Sequence, residues 1–131
     1  MTRRIAAVAA VLFGVVTLVA GGRVLLGGDP GYLVFRPLVL FNTAMGAVYV
    51  LAGILIWRTP AAVRPAAAIA LLNGVVLAGI VGLRLAGGPV AGESVAAMTF
   101  RTAVWAAIWG ALVWAGRRSA APRPVSGPGD S

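Results

Sequence analysis

Four long stretches without a charged residue constrain this chain more than any other feature. They run from Ile5 to Gly22, Pro37 to Trp57, Pro65 to Leu83 and Thr102 to Gly116. As helices rising 1.5 Å per residue, the first three reach across most or all of a hydrocarbon core about 30 Å thick. The fourth covers only about 22 Å. Extending it back to Ser94 restores a full span but places Arg101 inside it. An arginine at that depth costs about 2.5–3.5 kcal/mol on insertion scales, and it is accommodated by snorkelling, pairing or a wet cavity. The pattern predicts an all-α transmembrane bundle of four helices, with spans at about 5–26, 35–57, 63–85 and 94–116. Residues 1–116 then form one membrane domain. The Arg-, Pro-, Ser- and Gly-rich stretch 117–131 reads as a disordered cytoplasmic tail.

Composition narrows the chemistry. The chain is 60% hydrophobic and 11% charged, whereas a soluble domain carries about 25% charged residues. Its net charge of +8 comes from arginines that mostly flank the apolar runs. Such placement sets topology and does not build the continuous basic stripe that a nucleic acid requires. With no Cys and no His, disulfides, thiol chemistry, zinc sites and histidine-ligated haem are excluded. The acids are Asp29, Glu93 and Asp130, too few and too scattered for paired-carboxylate catalysis or a metal cage. No enzyme site, cofactor or metal is expected.

The first run could be a secretory signal ending at Ala20-Gly21-Gly22. Its apolar part is longer than the usual 7–15 residues, and Arg23 follows it, which favours a retained helix. Thr2-Arg3-Arg4 likewise reads as a cytoplasmic anchor before a twin-arginine address. Gly27-Gly28-Asp29-Pro30-Gly31, the Arg58-to-Pro65 segment and Ala86-to-Ser94 supply the turns. Arg3, Arg4, Arg58, Arg64, Arg117, Arg118 and Arg123 then lie on one side, against Arg23, Arg36, Arg84 and Arg101 on the other. The positive-inside rule places both termini in the cytoplasm.

A weak echo links the two halves. Arg23, Gly27-Gly28-Asp29-Pro30 and Phe35-Arg36 are answered by Arg84, Gly87-Gly88-Pro89 and Phe100-Arg101, as a duplicated two-span hairpin would produce. Depth adds more. Asn42 lies about 9 Å into the second span and Arg101 about 10 Å into the fourth, so the two can meet at one level. Asn42, Gly46, Tyr49 and Gly53 recur on one helical face. Gly46 and Gly53 would allow close helix approach there, while Tyr49 and Asn73, at a similar depth, could hydrogen-bond between helices. Arg36, Asn42, Arg84, Glu93 and Arg101 are thus candidates for a polar pocket suited to an anionic or polar ligand. Alternatively, Arg101 pairs with Glu93 and the amides merely hold the bundle together. Trp57 and Trp114 fit an aromatic belt, and Trp105 and Trp109 share a helix face suited to packing or lipid contact.

Known four-span families supply further tests. No carboxylate stands in the first span, as small multidrug exporters require. Asn73-Gly74 alone does not make a fluoride-channel motif, and quinone-linked disulfide enzymes need cysteines. Phe41-Asn42 followed by Gly46-Ala-Val-Tyr49-Val-Leu-Ala-Gly53, and Glu93 followed by Ala97-Met-Thr-Phe-Arg101-Thr-Ala-Val-Trp105, resemble a group of small uncharacterised bacterial four-span membrane proteins. That resemblance covers the second and fourth spans and implies a fold with no assigned activity. The expectation is a multi-pass protein of the bacterial inner membrane, non-enzymatic. It would act as an accessory or small subunit through helix–helix association, with itself or a partner membrane protein. A minimal oligomeric transporter or channel for an anionic or polar solute is the alternative.

Overall fold

The structure, a computed structural model, describes residues 1–31 and 33–120 together with Pro122 and Gly127. Among these it is all-helical. Helix α1 covers Thr2–Leu25, α2 Arg36–Arg58, α3 Val63–Leu85 and α4 Gly92–Ala120, with one 3₁₀ turn at Pro60–Ala62. All four are long and apolar enough to cross a membrane. The ends of α1, α2 and α3 fall within about three residues of the expected spans. Helix α4 instead continues through Arg117 to Ala120, into the segment expected to be tail, and most of the remaining tail lies outside the described residues. Its 29 residues span about 43 Å, so α4 is long enough to cross with Arg101 inside it.

Local chemistry fixes the boundaries. Pro37 occupies the first turn of α2, where its missing N–H costs nothing. Thr59 is extended (φ −144°, ψ 138°), as the residue before Pro60 must be to avoid the proline ring. Its hydroxyl accepts the Ala61 N–H at 3.2 Å. Helices α1 and α3 end in the same way. Gly28 N–H bonds to the Arg23 carbonyl and Gly27 N–H to that of Val24, while Gly88 bonds to Leu83 and Gly87 to Arg84. Gly27 (φ 101°) and Gly87 (φ 85°) supply the left-handed residue that this Schellman arrangement demands. The Gly-Gly echo in the sequence is therefore a shared helix stop.

The helices form two hairpins, α1–α2 and α3–α4, packed differently. A Cβ at Gly14 would lie 2.8 Å from the Gly46 carbonyl oxygen, and one at Gly53 would lie 2.9 Å from that of Ala7. The α1 and α2 backbones thus touch directly, as small residues allow in a membrane. Between α3 and α4 the nearest comparable approach is looser, with a Cβ at Gly74 3.9 Å from Thr102 Cγ2. Alanines of α1 pack with Met45, Tyr49, Ile56, Ile69, Trp105 and Leu112 in a core on the side of the start of α1 and the end of α4. Leu38, Ile80, Val90 and Met98 form a second core toward the two glycine loops. Outward-facing positions are apolar as well, Leu51 and Leu71 being 66% and 70% exposed. A surface of this kind suits lipid and would be an aggregation hazard in water.

Candidate functional site

At the loop end, residues of α1, the first loop, α2 and α4 line a cavity of about 440 Å³. Arg23 of α1, Asn42 of α2 and Ser94 and Arg101 of α4 supply polar lining, with Asp29 from the first loop. Asn42 and Ser94 are buried, and Arg101 is half-buried. Apolar walls come from Val24, Leu38 and Val39. Asp29 is engaged by its own turn, its carboxylate accepting the Gly31 N–H at 2.8 Å. The Asn42 side-chain oxygen is buried with no hydrogen-bond partner, and a buried polar atom in that state asks for a ligand or a water.

Beneath the cavity the bundle closes. Tyr49, Asn73 and Trp105 have no solvent exposure at all. The Tyr49 hydroxyl donates to Asn73 Oδ1 at 2.9 Å, tying α2 to α3 across the seam between the hairpins. The Tyr49 ring meets that of Trp105 at 5.0 Å and that of Phe13 at 5.7 Å. The rings contributed by α1, α2 and α4 thus form an aromatic floor. Trp105 Nε1 within it, and Asn73 Nδ2 beside it on α3, have no acceptor.

The structure brings some of the predicted residues together and disperses others. Asn42 and Arg101 meet in the cavity at the depth their positions imply, and Tyr49 reaches Asn73 as their common level predicts. Gly46 and Gly53 form the α1–α2 contact. Arg36 is exposed at the start of α2 and does not line the cavity, and neither does the exposed Glu93 in the first turn of α4. Arg84 serves the fold instead, because its Nη1 donates to the Val90 carbonyl at 2.7 Å and braces the second glycine loop. Arg23 belongs in its place. Counted from the capping glycines, Arg23 precedes Gly27 by four residues and Arg84 precedes Gly87 by three. One residue is about 100° of helix rotation, which turns one guanidinium to the cavity and the other to the loop. Trp105 and Trp109 also part company, the first buried in the core and the second exposed on the outside of the bundle.

The chain matches no family model, no curated protein and no solved structure. Its chemistry therefore has to be read from its own side chains. Arg23 and Arg101 bring positive charge and donors to the cavity, Asp29 a negative charge and the Asn42 oxygen a free acceptor, a mixed lining that suits a polar solute or one anion held by the arginines. Among the described residues no group of His, Cys, Asp or Glu is placed to hold a metal.

Proposed function

We propose that this is a non-enzymatic, multi-pass protein of the bacterial inner membrane, both termini cytoplasmic, that works by helix–helix association. It would be an accessory or small subunit, assembling with itself or with a partner membrane protein. The observation that carries this reading is the contrast between its glycines. In the α1–α2 pair the inward glycines are filled by the opposing backbone. On α3 and α4, Cβ atoms at Gly79, Gly82, Gly110 and Gly116 would meet nothing within 4 Å. On α3 the exposed Leu72, Val75, Gly79 and Gly82 recur at heptad spacing. Glycine costs a helix about 1 kcal/mol relative to alanine, and in a membrane that cost is offset where another backbone comes close.

A second reading rests on a separate observation, the buried, unpartnered Asn42 oxygen in a cavity that also holds Arg23 and Arg101. It makes the protein a minimal transporter or channel for an anionic or polar solute. One chain, closed below the cavity by Tyr49 and Trp105, would then need an oligomer to complete a path.

Extraction of the tagged protein in mild detergent, with mass analysis of what co-elutes, separates the two. Association predicts a homo-oligomer or a stoichiometric partner, lost on Gly79→Leu/Gly82→Leu and retained on Arg101→Ala. A monomer with no partner, indifferent to the glycine changes, would end that reading. Anion flux in liposomes, abolished by Arg101→Ala, would then stand in its place.

A further inference from the structure

The opposite end of the bundle carries a larger cavity, about 760 Å³, between the start of α1 and the end of α4. Arg3, Arg4 and Arg118 line it, with Trp114 and Ser119 beside them, and no acid among the described residues does so. Arg118 lies over the face of Trp114, itself a lining residue, at 4.3 Å, while Arg4 lies over Trp57, outside the lining, at 5.2 Å. The Trp114 contact orients the Arg118 charge without neutralising it. The first turn of α1, with no acidic residue and no side-chain cap, and the last turn of α4 both border the cavity, so their N–H and carbonyl groups oppose each other and the positive field comes from the arginines.

We propose that this cavity is a binding site for a phosphate group, supplied by an anionic phospholipid headgroup. Planar guanidiniums match the paired oxygens of a phosphate better than any other side chain. The tryptophans place the cavity at the level of the membrane interface, where lipid phosphates reside. Arginines distributed around a helix end for topology alone need share no cavity. Here Arg3 and Arg4 from one end of the chain converge with Arg118 from the other, while Arg64 and Arg117, at the same end of the bundle, stand outside it.

That division supplies the test. The protein is placed in nanodiscs of equal phosphatidylcholine and phosphatidylglycerol, and retained lipid is counted by native mass spectrometry. Wild-type protein should hold phosphatidylglycerol selectively. Arg3→Gln/Arg118→Gln should weaken that binding about tenfold or more, since hydrogen bonds to charged groups are lost, and Arg3→Lys/Arg118→Lys should fall between. Arg64→Gln/Arg117→Gln removes the same charge from the same end and should retain the lipid. Unfolding in phosphatidylcholine alone should match wild type for each variant, which separates lost binding from lost fold. Displacement of the lipid by inorganic phosphate would identify the site as one for the free anion; resistance to it would identify the headgroup. Equal loss in the two glutamine pairs would reduce the effect to a diffuse surface field and overturn the proposal, as would retention in both.

Discussion

Tyr49 and Asn73 show how much one polar pair can decide inside a membrane. The hydroxyl–amide bond at 2.9 Å joins α2 of one hairpin to α3 of the other inside the buried core. Interhelical hydrogen bonds in membranes average about 0.6 kcal/mol and reach about 1.7 at most, because the separated helices find other partners. Tyr49→Phe should therefore cost an amount in that range. Asn73→Leu should cost more, since it also leaves a buried hydroxyl without an acceptor. The double variant should cost less than the sum of the two, and a cycle measured by unfolding in denaturing detergent reads that coupling directly. Strict additivity would mean that the bond contributes nothing to holding the hairpins together. This pair was legible in the sequence, because equal depth along antiparallel helices needs only a count of residues. The cavity lining was not fully legible. Arg23 and Arg84 look equivalent beside their Gly-Gly pairs, and only the one-residue offset from the helix stop turns one toward Asn42 and the other toward Val90.

At the level of whole helices, glycine has two meanings that periodicity cannot separate. Gly46 and Gly53 sit on the face of α2 that also carries Tyr49, and their spacing correctly marks a close helix contact. Which helix makes that contact follows from α1, where Gly14 approaches the Gly46 carbonyl and Ala7 lies beneath Gly53. A side chain at Gly53 would press on the backbone oxygen of Ala7 and nitrogen of Val11, both at 2.9 Å, and neither can rotate away. Gly53→Val should therefore destabilise the bundle by about 1–3 kcal/mol, the usual range for overpacking. Gly110→Val introduces the same side chain on α4, where nothing lies within 4 Å, and should leave the stability of the single chain within about 0.5 kcal/mol. Thermal unfolding of both variants in one detergent measures the difference. Equal losses would show that the α1–α2 backbones do not meet as closely as described. The length of α4 lay beyond what the apolar pattern could show. Arg117 and Arg118 look like a stop signal at the edge of the membrane, yet a helix emerging from it needs no apolar residues to continue to Ala120.

For the molecule as a whole, charge remains the guide to orientation. Among the described residues Arg3, Arg4, Arg58, Arg64, Arg117 and Arg118 gather at the end that holds the start of α1 and the end of α4, and Arg123 of the expected tail lies outside the described residues. Arg23, Arg36 and Arg84 stand at the other end beside Asp29 and Glu93, and Arg101 opens to the cavity on that side. Under the positive-inside rule the expected cytoplasmic end is the one that holds the start of α1 and the end of α4, because translocating arginines is what that rule resists. Leaving four arginines on the far side makes the bias moderate, so the orientation is open to direct measurement. The absence of cysteine makes the measurement simple, since each introduced thiol is the only one present. Leu33→Cys and Pro89→Cys, in the two glycine loops, should react with a membrane-impermeant maleimide in intact spheroplasts. Thr2→Cys and Ala61→Cys, at the start of the chain and in the Arg58–Arg64 turn, should react only after lysis. The reverse pattern would place the Asn42–Arg101 cavity toward the cytoplasm and the arginine–tryptophan cavity outside. Labelling of all four sites before lysis would point to two orientations in one membrane, an arrangement whose natural product is an antiparallel pair of this same chain.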